Sequence, residues 1–392
     1  MNMKVKLGEV SVLINGDRGK NYPSQADILS DGDIPFVNAG HLDGRSIRLD
    51  EMSYITIEKY NQLSSGKFRK GDILYCLRGS LGKKAVVQEI VEGAIASSLV
   101  IIRPDSQIID VNYLMLALDS PCIQNQLLKA NNGSSQPNLS AASVRAYEID
   151  LPNKKVQEEI VNKFDKIQRV IDARKQQLQK LDELVKSRFV EMFGTIDDNR
   201  FGYKECSLQD VCEPIKDGTH QTPEYTDDTA EGYKFLSSKD VTSGTIDWTH
   251  LKYIPEYLHR ELYARIAPRK GDILLAKNGT TGVAAIVDRD EVFDIYVSLA
   301  LIRPLSVDTT YLWAAINSTE TKRQFDRSLK GIGVPNLHLG EIKKVRILHP
   351  PKDKQNRFAA FVAEVDKSKL AVQQSLEKLE TLKKSLMQQY FG

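Results

Sequence analysis

The sequence predicts an α+β fold in which two copies of one globular domain are each followed by a long α-helix. The two helices are expected to pack as an antiparallel coiled coil. Three observations predict this architecture: an apolar stripe in the middle of the chain, a second stripe at its end, and short motifs that recur at a nearly constant spacing. The predicted limits are 1–151 and 195–350 for the globular domains, and 152–194 and 351–392 for the helices.

The first long helix is expected from Lys154 to Phe193. Its apolar side chains follow one another at steps of four and three residues, which places them on one helix face, and only Arg174 interrupts the series. At about 1.5 Å per residue the helix would be a rod roughly 60 Å long. Such a narrow stripe needs a partner helix to bury it. The stripe consists of Ile160, Phe164, Ile167, Ile171, Leu178, Leu181 and Val185.

A repeat explains where that partner comes from. The motif KGDIL begins at Lys70 and again at Lys270, an offset of 200 residues (270 − 70). The tight glycine loop at 79–82 and the strand motif SLxxIRP at 98–104 recur at the same offset. The motif PNL recurs at an offset of 198 (Asn336 against Asn138), as does the helix end (Phe391 against Phe193). Several motifs that repeat in order at one spacing indicate a duplication.

The second long helix, from about Lys352, is therefore the copy of the first. Two linked copies of one unit tend to pack about a pseudo-two-fold axis, which predicts that the helices run antiparallel with the globular domains at opposite ends. The polar residues Arg174 and Lys369 either fix the register of the pair or extend out of the seam into solvent. The apolar stripe consists of Phe358, Val362, Val365, Val372, Leu376, Leu379 and Leu386.

Within the first globular domain, alternating apolar residues and turn signals predict short strands, one helix and a polar loop. The strands are expected at 34–37, 52–55, 73–75, 85–87 and 98–104, the helix at 113–128, and the loop at 131–139.

The bulk composition excludes several classes of protein. The chain of 392 residues is 41% hydrophobic and 27% charged, as in globular proteins with more than one domain. It has no run of about 18 apolar residues that would span a membrane. The opening MNMKVKLGEV has no apolar segment typical of a secretion signal. Four cysteines without a CxxC pattern fit reduced thiols, so we expect a cytoplasmic protein.

At these motifs the chain resembles the specificity (S) subunit of type I restriction-modification systems. The resemblance covers the whole chain and rests on the duplicated KGDIL, G-S/T-x-G and PNL pattern and on the helix entry QEEI at 157–160. The second copy departs at this entry, with QNRF at 355–358, but its DGTHQTP at 217–223 resembles the family's domain opening. The first copy departs there, reading NGDRGKNYP at 15–23.

The resemblance implies a DNA-reading subunit without catalysis of its own. Each target-recognition domain would read one half of a bipartite, asymmetric site in duplex DNA. The helices would act as a spacer and dock two methyltransferase (M) subunits that modify adenine at N6, and restriction (R) subunits would join for cleavage. The chain itself would bind no cofactor, while S-adenosylmethionine, ATP and Mg would belong to the partner subunits.

The search for catalytic motifs agrees with this expectation. The sequence contains no Asn-Pro-Pro-aromatic motif and no glycine-rich loop of the kind that binds S-adenosylmethionine. Residues 79–83 have neither the spacing nor the following Ser/Thr of a phosphate-binding loop, and the copy at 279–283 has no lysine. Cys206, Cys212 and His220 do not have the spacing of a zinc site. We therefore expect no catalytic residue and no metal site.

Candidate DNA contacts come from polar loops, because Arg and Lys bind phosphates and guanine while Asn and Gln bind adenine. Each of these loops could instead serve only to turn the chain. The asparagines of the PNL motif are interpreted as structural. Lys83 and Lys84 have no basic counterpart in the second copy, which favours a phosphate or base contact that only the first domain makes. The candidates are Arg18, Lys20, Asn21, Arg78, Ser80, Lys83, Lys84, Asn132, Ser134 and Gln136 in the first domain, and Lys216, Thr219, His220, Gln221, Lys277, Asn278, Thr280, Lys330 and His338 in the second.

One alternative accounts for the repeat equally well. A duplicated coiled-coil adaptor could join two protein partners without binding DNA. The polar loops and the family resemblance weigh against it, and neighbouring genes for a methyltransferase and a helicase-nuclease would discriminate between the two functions.

Overall fold

The computed structural model of the chain describes residues 3–90, 92–130, 138–242, 244–279, 281–329 and 336–392. These residues form two compact units. Unit 1 comprises residues 1–174 together with 375–392, and unit 2 comprises residues 175–374. Each long helix contributes one half to each unit.

The first globular domain contains ten strands and five short helices among its described residues. The strands are β1 (Met3–Lys6), β2 (Ser11–Asn15), β3 (Ile34–Val37), β4 (Tyr54–Ile55), β5 (Lys67–Arg69), β6 (Ile73–Cys76), β7 (Lys84–Val86), β8 (Glu92–Ile95), β9 (Leu99–Pro104) and β10 (Glu148–Leu151). The helices are α1 (Leu7–Val10), α2 (Ile57–Gln62), α3 (Val111–Leu118), α4 (Pro121–Ala130) and α5 (Ala141–Arg145), and the long helix α6 (Lys154–Phe193) follows them.

The strands of unit 1 form three small sheets. β2, β9, β6 and β7 form an antiparallel sheet in that order, and β1 pairs with β10. The third sheet has the order β4-β3-β8-β5 and contains one parallel pair, β3 with β8. Strands β6 and β9 are buried on both faces, which explains why the sequence there is almost continuously apolar.

The repeated motifs KGDIL and SLxxIRP contact each other directly. The guanidinium of Arg103 donates to both carboxylate oxygens of Asp72, at 2.8 and 2.7 Å, and the backbone N–H of Arg69 donates to the same carboxylate. In unit 2, Arg303 binds Asp272 in the same way, with both distances at 2.7 Å. Each carboxylate is buried, so both copies keep a bidentate ion pair between the KGDIL turn and the end of the SLxxIRP segment.

In unit 1 the first half of α6 packs against the last turns of the C-terminal helix. Phe164 lies 6.3 Å, centroid to centroid, from Phe391, which in turn lies 5.3 Å from Tyr113 of α3. The ammonium of Lys163 donates to the hydroxyl of Tyr390, and that of Lys383 donates to the side-chain carbonyl of Gln168. Because the partner number falls as the α6 number rises, the two helix segments run antiparallel.

Unit 2 repeats these elements, except that none of its described strands corresponds to β5. Its strands are β11 (Lys204–Ser207), β12 (Lys216–Asp217), β13 (Tyr233–Leu236), β14 (Lys252–Ile254), β15 (Ile273–Ala276), β16 (Ala284–Ile286), β17 (Phe293–Ile295), β18 (Leu299–Ile302) and β19 (Arg346–His349). Its helices are α7 (Leu208–Val211), α8 (Glu256–Arg265), α9 (Thr309–Ile316), α10 (Thr319–Ser328) and α11 (Leu339–Lys344), followed by the long helix α12 (Lys352–Phe391).

The sheets of unit 2 have the topology of those in unit 1. The order β12-β18-β15-β16 corresponds to β2-β9-β6-β7, and β14-β13-β17 corresponds to β4-β3-β8, again with one parallel pair. The register is also repeated, since Leu274 opposes Leu301 as Leu74 opposes Ile101. The duplication predicted from the motifs is therefore present in the order and register of the strands that the two units share.

In unit 2 the second half of α6 packs against the first half of α12. Phe189 and Phe193 each lie 5.5 Å from Phe358, and Lys369 forms an ion pair of 2.6 Å with Asp182 on the other helix. These helix segments also run antiparallel. The predicted α+β architecture with paired long helices is confirmed, and Lys369 connects the two helices rather than extending into solvent.

Three details differ from the sequence-based expectations. The helix predicted at 113–128 is two helices, α3 and α4, because Pro121 cannot continue α3 and begins α4. Only Tyr54 and Ile55 of the strand predicted at 52–55 are in a strand. The apolar stripes extend further than the heptad spacing indicates, since Phe189, Phe193 and Phe391 are buried at the helix ends.

No helix in the described ranges is long and apolar enough to cross a membrane.

Candidate nucleic-acid interface

The strand register aligns the opening loops of the two domains. Asn15 pairs with Val100, and Asp217 pairs with Ala300, so Asn15 corresponds to Asp217 at an offset of 202. Gly16 then corresponds to Gly218. A Cβ atom on either glycine would lie within 2.9 Å of a backbone carbonyl at the end of β8 or β17, that of Ala96 in unit 1 and that of Ile295 in unit 2. At the same offset, Arg18 corresponds to His220.

In unit 2 backbone hydrogen bonds bring three of the predicted loops together. The N–H of Lys277 donates to Ser298, and its carbonyl accepts from Leu337, at 2.8 and 2.9 Å. Asn278 forms a β-bridge with Asn336, and Thr219 forms one with Tyr296. The opening loop, the glycine loop and the PNL motif therefore meet at the end of β15.

These loops line a cleft of about 550 Å³. Four of the predicted DNA contacts face it: His220, Lys277, Asn278 and His338. The lining offers hydrogen-bond donors and acceptors of the kinds that read base edges. The remaining lining residues are Asp217, Val297, Asn336, Leu339 and Gly340.

The cleft contains a buried ion pair. The ammonium of Lys277 donates to Oδ2 of Asp217 at 2.7 Å, and the two side chains are only 6% and 13% exposed. Burial would raise the pKa of Asp217, but the hydrogen bond and the charge of Lys277, supported by His220, hold it below its ordinary value. Nε2 of His220 lies 3.3 Å from the same carboxylate, on a side chain that is 68% exposed. Because the charge of Lys277 is neutralised, a phosphate contact by this residue is not supported.

Unit 1 builds the same framework with different side chains. Leu77 occupies the position of Lys277 and makes the same backbone bonds, to Ser98 and Leu139, while Arg78 forms a bridge with Asn138. The opening loop reaches this site through Tyr22, whose hydroxyl accepts from the N–H of Ser97 at 3.4 Å.

The other candidates of unit 1 lie on these loops. Arg18, Lys20, Arg78 and Ser80 are exposed, whereas Asn21 and Lys83 are half-buried. The ammonium of Lys83 donates to the carbonyl of Ala39 at 3.4 Å. Unit 1 thus carries exposed Arg18, Lys20 and Arg78 on the loops that correspond to those lining the cleft of unit 2.

Lys84, predicted as a DNA contact, is buried in the structure. Its side chain is 3% exposed and forms an ion pair with Asp119. In unit 2 the corresponding residues are Ala284 and Asn317, and the amide of Asn317 bonds to both the N–H and the carbonyl of Ala284, each at 3.0 Å. The lysine and the aspartate thus replace an equivalent neutral connection between β16 and α9, and the missing cation in the second copy reflects packing.

The remaining predicted residues lie at the edge of the site. Lys216 is exposed and donates to the carbonyl of Arg265, and Thr219 accepts from the N–H of the exposed Gln221. Asn132, Ser134, Gln136, Thr280 and Lys330 lie outside the described residues.

Sequence reasoning missed the role of Asp217 and Asn336 in lining the cleft. Asn336, which the PNL motif indicates to be structural, forms a β-bridge with Asn278 and also faces the cleft. Asp217 stands in the DGTHQTP motif, but its pairing with Lys277, 60 residues away, gave no local signal. Within the described ranges, no group of three His, Cys, Asp or Glu side chains could hold a metal ion.

Comparison with known proteins agrees with this arrangement. The family model of the type I restriction modification DNA specificity domain matches twice, over residues 2–183 and 202–382. The chain belongs to this family. The two matches correspond to the two copies found from the motifs and from the strand register.

Individual members of the family are similar over part of their length. The specificity subunit of the type I restriction enzyme EcoBI from Escherichia coli is 25% identical over 171 residues, which cover 43% of this chain and 36% of that protein. The HindI specificity subunit from Haemophilus influenzae is 22% identical over 189 residues, covering 47% of this chain and 41% of that protein. The matched stretches therefore span less than half of either relative.

Solved structures show that the fold is shared along the whole chain. A chain from a study of complex assembly and conformational transition in the type I restriction-modification system superposes with a TM-score of 0.64 and 20% identity, covering 100% of this chain and 97% of that one. The type I restriction-modification S subunit from M. genitalium superposes with a TM-score of 0.54 and 13% identity, covering 100% and 96%.

Proposed function

We propose that this chain is the non-catalytic DNA-reading subunit of a type I restriction-modification complex, in which each globular domain reads one half of a bipartite, asymmetric site in duplex DNA. One observation carries the proposal. The two domains hold the same loops with the same backbone bonds, yet the side chains on those loops differ, with Arg18 and Leu77 in one domain and His220 and Lys277 in the other.

The long helices are proposed to set the spacer between the half-sites and to dock two methyltransferase subunits. Each helix is fixed to its own globular domain by a buried glutamine. Gln157 accepts from the N–H of Asp110, and Gln355 accepts from the N–H of Asp308, at 2.8 and 2.6 Å. Rigid attachment at both helix starts is what a ruler between two readers requires.

The chemistry is proposed to reside on the partners. N6-adenine methylation with S-adenosylmethionine belongs to the methyltransferase subunits, and ATP- and Mg-dependent cleavage belongs to restriction subunits. The cytoplasmic location predicted from the sequence remains a prediction.

A domain exchange tests the proposal. Residues 1–150 are replaced by the corresponding domain of another specificity subunit, and methylated bases are mapped in cells that express the chain with its methyltransferase subunit. Only one half of the recognised site should change. Exchange of residues 195–350 serves as the matched control and should change only the other half. A change in both halves after either exchange would contradict independent reading.

The adaptor alternative gives a different result in the same cells. A chain that only joins two proteins would produce no sequence-specific methylation, and the purified complex would show no preference for any duplex sequence.

A further inference from the structure

The Lys277–Asp217 ion pair in the cleft of unit 2 has no counterpart in unit 1, although the two units share one fold. At the equivalent positions, unit 1 has Asn15 and Leu77. Leu77 is 1% exposed and belongs to the apolar core of unit 1. Replacing a buried ion pair by apolar residues of similar volume is often neutral or stabilising, because desolvation of the two charges offsets their attraction. We therefore expect unit 2 to fold without the pair, as unit 1 does.

Both units tie the opening loop to the rest of the domain without this pair. In unit 2 the guanidinium of Arg265 donates to the carbonyls of Asp217 and Gly218, at 2.6 and 2.8 Å. In unit 1 the hydroxyl of Ser65 donates to the carbonyl of Asn15 at 2.8 Å. The shared connection runs through the backbone of the loop, so the Lys277–Asp217 contact is an addition made by side chains that line the cleft.

The pair also organises its surroundings. One carboxylate oxygen of Asp217 contacts both Lys277 and His220, and His220 is the most exposed of the three side chains. Asn278 and His338 lie on the same cleft. The pair thus makes the cleft floor polar and orients an exposed imidazole beside two further hydrogen-bonding groups.

We propose that Asp217 and Lys277 determine which base pairs unit 2 accepts, by giving the cleft a polar floor and by positioning His220 against a base edge. This inference rests on the proposed function, because it assigns specificity to a site that first has to bind DNA. The ligand is the hydrogen-bonding edge of a base pair and not a phosphate, since the ammonium of Lys277 is already paired with the carboxylate of Asp217.

The test replaces the pair by the combination that unit 1 carries. The double variant Asp217→Asn/Lys277→Leu removes both charges together and leaves no buried ammonium without its partner. The single variant Asp217→Asn leaves such an ammonium and should lower the thermal stability. The double variant should melt within a few degrees of the parent, which separates loss of specificity from loss of fold.

The matched control replaces an ion pair of unit 1, which does not line the cleft, by the uncharged residues that unit 2 carries at the equivalent positions. The variant Lys84→Ala/Asp119→Asn gives unit 1 the residue types found at Ala284 and Asn317. It should change neither half of the recognised site.

The assay uses the full chain assembled with its methyltransferase subunit and a duplex library in which each half-site is randomised in turn. For the double variant, discrimination at one or more positions of the unit 2 half-site should fall about tenfold, within the range known for direct base contacts. Discrimination in the unit 1 half-site should stay unchanged. The slope of log affinity against log salt should also stay unchanged, because no phosphate contact is removed.

Several results would overturn the proposal. The double variant could read the unit 2 half-site as the parent does, it could alter both halves, or it could lower the salt slope by about one phosphate contact. Failure of the proposed function is distinguishable from these results, because the parent complex itself would then methylate without sequence preference.

Discussion

Removal of the glutamine at the start of either long helix should weaken the attachment of that helix to its globular domain. Gln157 is fully buried, and its side chain accepts from Asp110 and donates to the carbonyls of Ile108 and Pro152, at 2.8, 3.1 and 2.8 Å. In Gln157→Leu, these three backbone groups lose their partner. A buried polar group left without a partner costs about 1–3 kcal/mol, and part of this is offset by the apolar side chain.

We therefore expect the free energy of unfolding to fall by about 3 kcal/mol, measured by urea denaturation. Gln355→Leu should have a similar effect, since Gln355 bonds to Asp308 and Pro350 in the same way. Gln179→Leu is the matched control on the same helix. Its exposed side chain bonds only to an exposed glutamate in the described structure, so its effect should stay within about 0.5 kcal/mol.

The functional consequence should appear in the spacer and not in the half-sites. When the attachment at the helix start is weakened, the globular domain can tilt relative to its helix. Sites with one base pair more or fewer between the two halves should then become methylated, while both half-site sequences stay the same. The reasoning would be refuted if Gln157→Leu were as stable as Gln179→Leu, or if the variant changed a half-site sequence while keeping the spacer.

Three further predictions follow from individual contacts. Lys84→Met should leave the salt dependence of DNA binding unchanged because Lys84 is buried, whereas Arg18→Met should lower the salt slope by about one; equal slopes for both variants would contradict this. Burial raises the pKa of Asp294 to about 6, and the hydrogen bond with Nδ1 of His259 only partly opposes this rise. The protonated carboxyl therefore stabilises unit 2 below about pH 4, and this contribution is lost as the pH rises through about 6. Asp294→Asn should flatten this part of the curve of unfolding free energy against pH, measured at intervals from pH 4 to 7, and an unchanged curve would exclude Asp294 as its source. Lys369→Leu removes a partly exposed ion pair with Asp182, worth less than about 1 kcal/mol, and adds an apolar residue to the helix seam. The melting temperature should therefore stay the same or rise. A clear fall would show that the ion pair contributes more than its exposure suggests.

The helices could be predicted because their signal is local and periodic. The predicted range of the first long helix agrees with the structure. The prediction succeeds because nearly every turn of the helix places an apolar side chain on the same face. The aromatic residues at the helix ends escaped this reasoning. Phe193 and Phe391 contact Tyr311 and Tyr113 of the globular domains, so their burial depends on a tertiary contact that has no period.

The candidate site could be predicted only as far as its loops. The repeat located the loops because they stand next to shared motifs, and in unit 2 the described parts of the three loops meet at one cleft. The role of each side chain depended on partners that are distant in sequence. Lys84 and Lys277 both looked like DNA contacts, but their charges are neutralised by Asp119 and Asp217, which lie 35 and 60 residues away.

These two lysines also show which differences between the copies bear on recognition. Each is accompanied by an aspartate, and each pair is replaced in the other unit by an uncharged pair. When one partner of a buried ion pair is replaced, packing requires that the other partner be replaced as well. The joint replacement of both residues therefore does not by itself indicate a function. Lys84 and Asp119 connect a strand to a helix, and a neutral connection replaces them at the same place. Lys277 and Asp217 line a cleft and contact an exposed histidine, so only their exchange changes the chemistry that an approaching base pair would meet.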